Sequence, residues 1–136
     1  MPSRRRLARV AAMQAVFEQQ VRSMDAKASL EKNMQELGGQ AAVDCDFAEK
    51  LFSGVAKESS SIQKAVEEHA PQWPLSRMDT ITRSILLIGA YELLFLKDAP
   101  PAVVMNEAID IAKEYGSAES GKFVNGVLNA LAHAKK

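Results

Sequence analysis

The chain has 136 residues, 17 basic and 17 acidic, with 47% hydrophobic and 25% charged side chains. That length suits one domain with a core that needs neither disulfide nor metal, and this composition excludes wholesale disorder. Zero net charge excludes a protein that coats nucleic acid through bulk positive charge, so any nucleic-acid contact has to be local.

Apolar residues recur at helical spacing along nearly the whole chain. Ser3 can cap a first helix running to about Met24, with Leu7, Val10, Met13 or Gln14, Phe17 and Val21 on its stripe. A weaker second helix covers about Ala26 to Leu37 and stops at Gly38-Gly39. Asp44 and Asp46 suit the start of a third, which carries Phe47, Leu51 and Val55 one turn apart. Ser59 to Ser61 can cap a fourth that reaches His69. Pro71-Gln72-Trp73-Pro74 then interrupts the chain, because two prolines inside a helix remove donors and clash. The junction between two helical halves, about 1–70 and 75–136, falls there.

Asp79 can cap a fifth helix through about Leu96. Ile81, Ile85, Leu86, Ile88 and Leu93 cover much of its circumference, which predicts the central, most buried helix. Gly89 would let a neighbouring helix approach closely. Lys97 to Pro101 is a turn. The sixth helix, about Ala102 to Tyr115, places Val104, Ala108, Ile111 and Tyr115 on one face, and Gly116 ends it. Ser117 to Ser120 opens the seventh, with Phe123, Val124, Val127, Leu128 and Leu131 as its stripe. No segment alternates at period two. The expected fold is therefore all-α, about seven helices in a single domain.

Few groups are placed for chemistry. Cys45 is the single cysteine, with no partner for a disulfide or a zinc site, which fits a reducing cytoplasm. His69 and His133 sit in no metal-ligand spacing. Nucleotide-loop, nucleophile-elbow and metal-ligand motifs are missing, so neither catalysis nor a cofactor is expected. Asn106 and Glu107 fit helix-end and interhelix hydrogen bonds. The basic start does not read as a signal peptide, because Arg9 falls inside what would be its apolar region and Glu18 and Arg22 follow soon after. The run Ile81 to Leu96 contains Arg83 and Glu92 and is too short to span a membrane.

What remains is a set of binding candidates. Arg5, Arg6 and Arg9 share a helix face that could meet several phosphates, or could be a frayed and solvated terminus. Phe17 and Phe123 could stack on unpaired bases, or belong to the core. Ser120, Lys122 and Phe123 sit at a helix N-terminus, where free amides and a lysine favour phosphate.

The run from Val104 to Lys113, a Tyr-Gly break, and Ser120-Gly121-Lys122-Phe123-Val124-Asn125-Gly126-Val127-Leu128 resemble the signature of the NusB family. Ile85 to Leu93 is similar to that family's central helix, and Arg4-Arg5-Arg6 through Ala15, with Phe17, to its basic first helix. The resemblance is specific from Asp79 to Leu131 and loose from Ser23 to Val43. It implies two helical subdomains and binding of single-stranded boxA RNA in ribosomal RNA leaders. It also implies ribosomal protein NusE as partner, with RNA polymerase and other Nus factors reached indirectly. The implied RNA surface comprises Arg5, Arg6, Arg9, Phe17, Asp79, Thr80 and Glu119 to Phe123. Leu7 interrupts the arginine run, and Glu119 stands where the family commonly has aspartate. A related domain occurs fused to RNA cytosine methyltransferases. This chain ends at Lys136 without a cofactor domain, so the expectation is a binding protein. A purely protein-binding helical module is the competing reading.

Overall fold

The computed structural model describes residues 2–22 and 24–134, the last by its backbone. Ser23, in the expected run of the first helix to Met24, and Met1, Lys135 and Lys136 of the expected domain lie outside the described residues. Six α-helices and no strand occur among the described residues: α1 Arg4–Val21, α2 Ala26–Glu36, α3 Cys45–His69, α4 Thr80–Tyr91, α5 Pro101–Tyr115 and α6 Ala118–Ala134.

The helix starts follow local capping chemistry. Ser3 Oγ accepts from the Arg6 amide at 2.9 Å, Asp44 from Phe47 at 3.1 Å, and Asp79 from Thr82 at 2.8 Å. Each satisfies an amide that the first turn leaves without an intrahelical partner. At α6 the exchange is reciprocal. The Ser120 amide donates to Ser117 Oγ at 3.2 Å, and the Ser117 amide to Ser120 Oγ at 3.3 Å.

One expected break is absent. The third and fourth expected helices are a single helix, α3, with Ser59 to Ser61 inside it. Its buried stripe of Phe47, Leu51, Val55, Ile62 and Val66 continues past the serines, spanning them with one two-turn step. Packing of a continuous stripe outweighs the local capping that serine offers.

The expected central helix is central, and its last turn departs from α geometry. Ile85 and Ile88 are 2% and 4% exposed. Residues Glu92–Leu96 widen into a π turn, which ends at Lys97 in the left-handed region, φ 54°. The Lys97 amide donates to the Glu92 carbonyl at 2.9 Å.

Helix α4 packs on α1, α3, α5 and α6. One hydrophobic core includes Met13 from α1, Leu51 and Ile62 from α3, Leu86 from α4, Val104 from α5 and Leu128 from α6. α1 runs antiparallel to α4: Arg9 reaches Glu92 at one end, and Gln20 reaches Ser84 at the other. Gly89 allows the close approach anticipated for it, since a Cβ there would lie 3.0 Å from Leu128.

Candidate nucleic-acid interface

The arginines of α1 point into a set of carboxylates. Arg9 is 5% exposed, and its Nε and Nη2 donate to both oxygens of buried Glu92, at 2.7 and 2.8 Å. Arg6 makes the same two-pronged contact with Glu107 of α5, at 2.6 and 2.8 Å, and a third bond to Asp110 at 3.1 Å. Arg5 bonds Asp98 at 2.9 Å, and its guanidinium lies 4.1 Å from the Phe47 ring centre.

Charge-assisted bonds of this kind are strong and directional. The hydrogen bond from Arg6 is the main reason the Glu107 carboxyl lies below the usual carboxylate range. Reciprocally, the bond to Glu107 raises Arg6 above the ordinary arginine value, against the lowering effect of burial. The arginine run is therefore neither frayed nor a bare phosphate-binding face. Arg9 in particular is not open to a ligand: it joins α1 to the end of α4, and desolvation is offset by its bidentate pair. Arg5 remains the most accessible of the three, its side chain 44% exposed. The interhelix role expected for Glu107 is what the structure shows.

Phe17 and Phe123 are half-buried, and neither is among the side chains packed against the core. Lying on an apolar stripe did not commit either ring to the interior.

The start of α4, the loop before it and α6 enclose a cavity of about 280 Å³ lined by Trp73, Arg77, Met78, Asp79, Thr82 and Phe123, among others. Trp73 and Phe123 also border an adjoining open hollow with Glu119 and Lys122. Asp79 reaches this place as the cap of α4, and both its oxygens bond Thr82. Thr80, half-buried in the first turn, accepts from Ser84 Oγ through its carbonyl at 2.7 Å. Ser120 is a correction to the expected surface: it is buried, and its hydroxyl is hydrogen-bonded to Thr82 Oγ1 at 3.0 Å, tying α4 to α6.

Of the lining residues, only Asp79 and Phe123 are expected from the sequence; Trp73 and Arg77 are among those that are not. Trp73 and Arg77 belong to the proline-bracketed segment and the short 3-10 turn Leu75–Arg77 that follows it. The available signal was a lone tryptophan between two prolines. Phe17 apart, the expected residues thus form two groups, with the arginines at the C-terminal end of α4 and the aromatic cleft at its N-terminal end. Thr82 and Glu92 are ten residues apart, or about 15 Å along a helix axis.

The described residues define a small all-helical protein. Among the described residues no group of three or more His, Cys, Asp or Glu could hold a metal, and no helix is long and apolar enough to cross a membrane. The NusB family model matches residues 6–133, and the chain belongs to the NusB family. It is 40% identical over 129 residues to the transcription antitermination protein NusB of Desulfitobacterium hafniense (strain DSM 10664 / DCB-2), covering 93% of this chain and 86% of that protein. The fold is similar to T. maritima NusB, with a TM-score of 0.83, 36% identity, and coverage of 98% of this chain and 93% of that one. A chain in the crystal structure of antitermination factors NusB and NusE in complex with double-stranded RNA also matches. There the TM-score is 0.83, with 27% identity over 95% of this chain and 96% of that one.

Proposed function

We propose that this protein is a cytoplasmic, non-enzymatic transcription antitermination factor that binds single-stranded boxA-type RNA of ribosomal RNA leaders together with NusE. RNA polymerase and other Nus factors are reached through that complex. The chain works as one domain whose halves, about 1–70 and 75–136, are held together through α4.

One observation carries the RNA reading. Phe17 and Phe123 stand half-buried outside the packed core, and such rings can stack on unpaired bases. The family match supports antitermination, and the similar NusB–NusE complex with RNA supports both partners. The RNA surface comprises Arg5, Arg6, Phe17, the Asp79-Thr80 helix start, Glu119, Lys122 and Phe123. Arg9 and Ser120 hold that surface in place from beneath.

An electrophoretic shift assay with a short boxA-like RNA, with and without NusE, tests this. The expected result is weak binding alone and stronger binding with NusE. Equal affinity for unrelated duplex DNA would refute it. NusE binding with no RNA shift in either condition would favour a purely protein-binding module.

A further inference from the structure

The cleft between Trp73 and Phe123 can do more than add area to an RNA surface. We propose that it is a pocket for one unpaired nucleobase, with Trp73 and Phe123 as its aromatic walls and the adjoining phosphate held by Arg77 and Lys122. This rests on the RNA-binding reading above, and it adds Trp73 and Arg77 to the residues that bind.

Shape is the first argument. A cavity of about 280 Å³ lies at the small end of ligand sites, which start at roughly 300 Å³. A base in a duplex is covered on both faces and cannot enter; a base in a single strand can be splayed out and stacked on an aromatic ring. Selection for unpaired RNA then follows from geometry.

The walls differ in how they are held. Trp73 packs against the core, and a Cβ at Gly126 would lie 2.8 Å from its Cζ2 and 3.0 Å from its Cε2. Glycine at 126 thus lets the indole lie against α6 as a fixed platform. Phe123 is not packed on the core, so its ring can adjust to an incoming base.

Charge is the third argument. Arg5, Arg6 and Arg9 are all neutralised by carboxylates. Arg77 and Lys122 border the two hollows, are exposed, and form no ion pair among the described residues. Both therefore keep their donors free for a phosphate, although Asp79 and Glu119 line the same two hollows. Gln72, also on the lining, offers both a donor and an acceptor to a base edge.

Trp73 is the single tryptophan of the chain, so its emission reports on this pocket. The experiment titrates the full chain, with NusE present, with a short unstructured oligoribonucleotide and with the same RNA annealed to its complement. Electrophoretic shifts are run in parallel. Saturable change of Trp73 emission is expected with the single strand and not with the duplex. Phe123→Leu and Arg77→Gln should each weaken single-strand binding, Phe123→Leu by roughly fivefold to a hundredfold, the worth of one base stack. Circular dichroism verifies folding; should Phe123→Leu unfold, exposed Arg77→Gln carries the affinity test. If RNA shifts normally while emission stays constant, or while folded variants bind like wild type, the pocket is overturned and RNA binding stands. An equal emission response to the duplex would remove the unpaired-base selection. Absence of any RNA shift would overturn the RNA reading, and the pocket with it.

Discussion

The Arg9 guanidinium and the Glu92 carboxylate face each other inside the protein, joined by two parallel hydrogen bonds of 2.7 and 2.8 Å. Removing one partner strands a buried charge, which costs roughly 3–5 kcal/mol, whereas an apolar pair of similar volume can be neutral or stabilising. Arg9→Met and Glu92→Leu should each lower stability by about that amount, and the double substitution should recover most of it. Urea unfolding of the three variants measures this. A double mutant as unstable as the sum of the singles would show that the pair itself is indispensable.

Ile85 and Ile88 test the core. Both are nearly inaccessible, on the helix that packs on α1, α3, α5 and α6. Ile85→Ala or Ile88→Ala should cost roughly 2–5 kcal/mol. A cost below about 1 kcal/mol in chemical denaturation would contradict central burial.

The Arg6–Glu107 pair makes stability depend on acid. The folded-state carboxyl lies below its ordinary 4.5, so the folded protein binds that proton less readily than the unfolded chain. The pair's contribution is full above the ordinary value and fades as pH falls through the lowered one. Urea midpoints of the wild type and Glu107→Gln should converge in acid. A constant gap would mean that the pair does not titrate with folding.

Glu119 is exposed in the first turn of α6, beside the hollow that Lys122 and Phe123 border. Its charge suits the helix dipole by about 0.3–1 kcal/mol and repels any phosphate that seeks the same region. Glu119→Gln should bind RNA more tightly and be slightly less stable. Weaker binding of this variant in a titration at fixed salt would instead make the carboxylate a base contact.

Salt dependence should be shallow, because the α1 arginines are already matched by acids. On single strands each phosphate contact contributes roughly −0.7 to the logarithmic slope. Asp110→Asn, which relieves Arg6 of its more exposed partner (57%), should steepen the slope and tighten binding. An unchanged slope would place the phosphates away from Arg6.

Local chemistry was legible in the sequence. The caps Ser3, Asp44 and Asp79, the buried face of Ile85 and Ile88, and the close approach at Gly89 all follow from spacing and residue type. Contacts between distant positions were not. Nothing in helical periodicity says that Arg6 meets Glu107 across the fold, and the charge count balances whether or not the pairs form. The serines at 59–61 looked like a helix start because capping is local, while the stripe that overrides it extends over two turns. Phe17 and Phe123 sat on apolar stripes in the sequence, yet only tertiary packing decides which stripe residues are covered. Trp73 lies in a segment whose two prolines signal a break, and that signal does not mark a wall of a cleft.

The span of the Arg9–Glu92 link has a consequence for synthesis. The two residues are 83 positions apart. At about 5–20 residues per second, roughly four to sixteen seconds separate their translation. During that interval α1 has neither Glu92 nor the later carboxylates of Asp98, Glu107 and Asp110 to neutralise it. The nascent chain therefore passes through a stage in which its first helix is more openly cationic beside ribosomal RNA than it is in the finished molecule, where Arg9 is buried against Glu92.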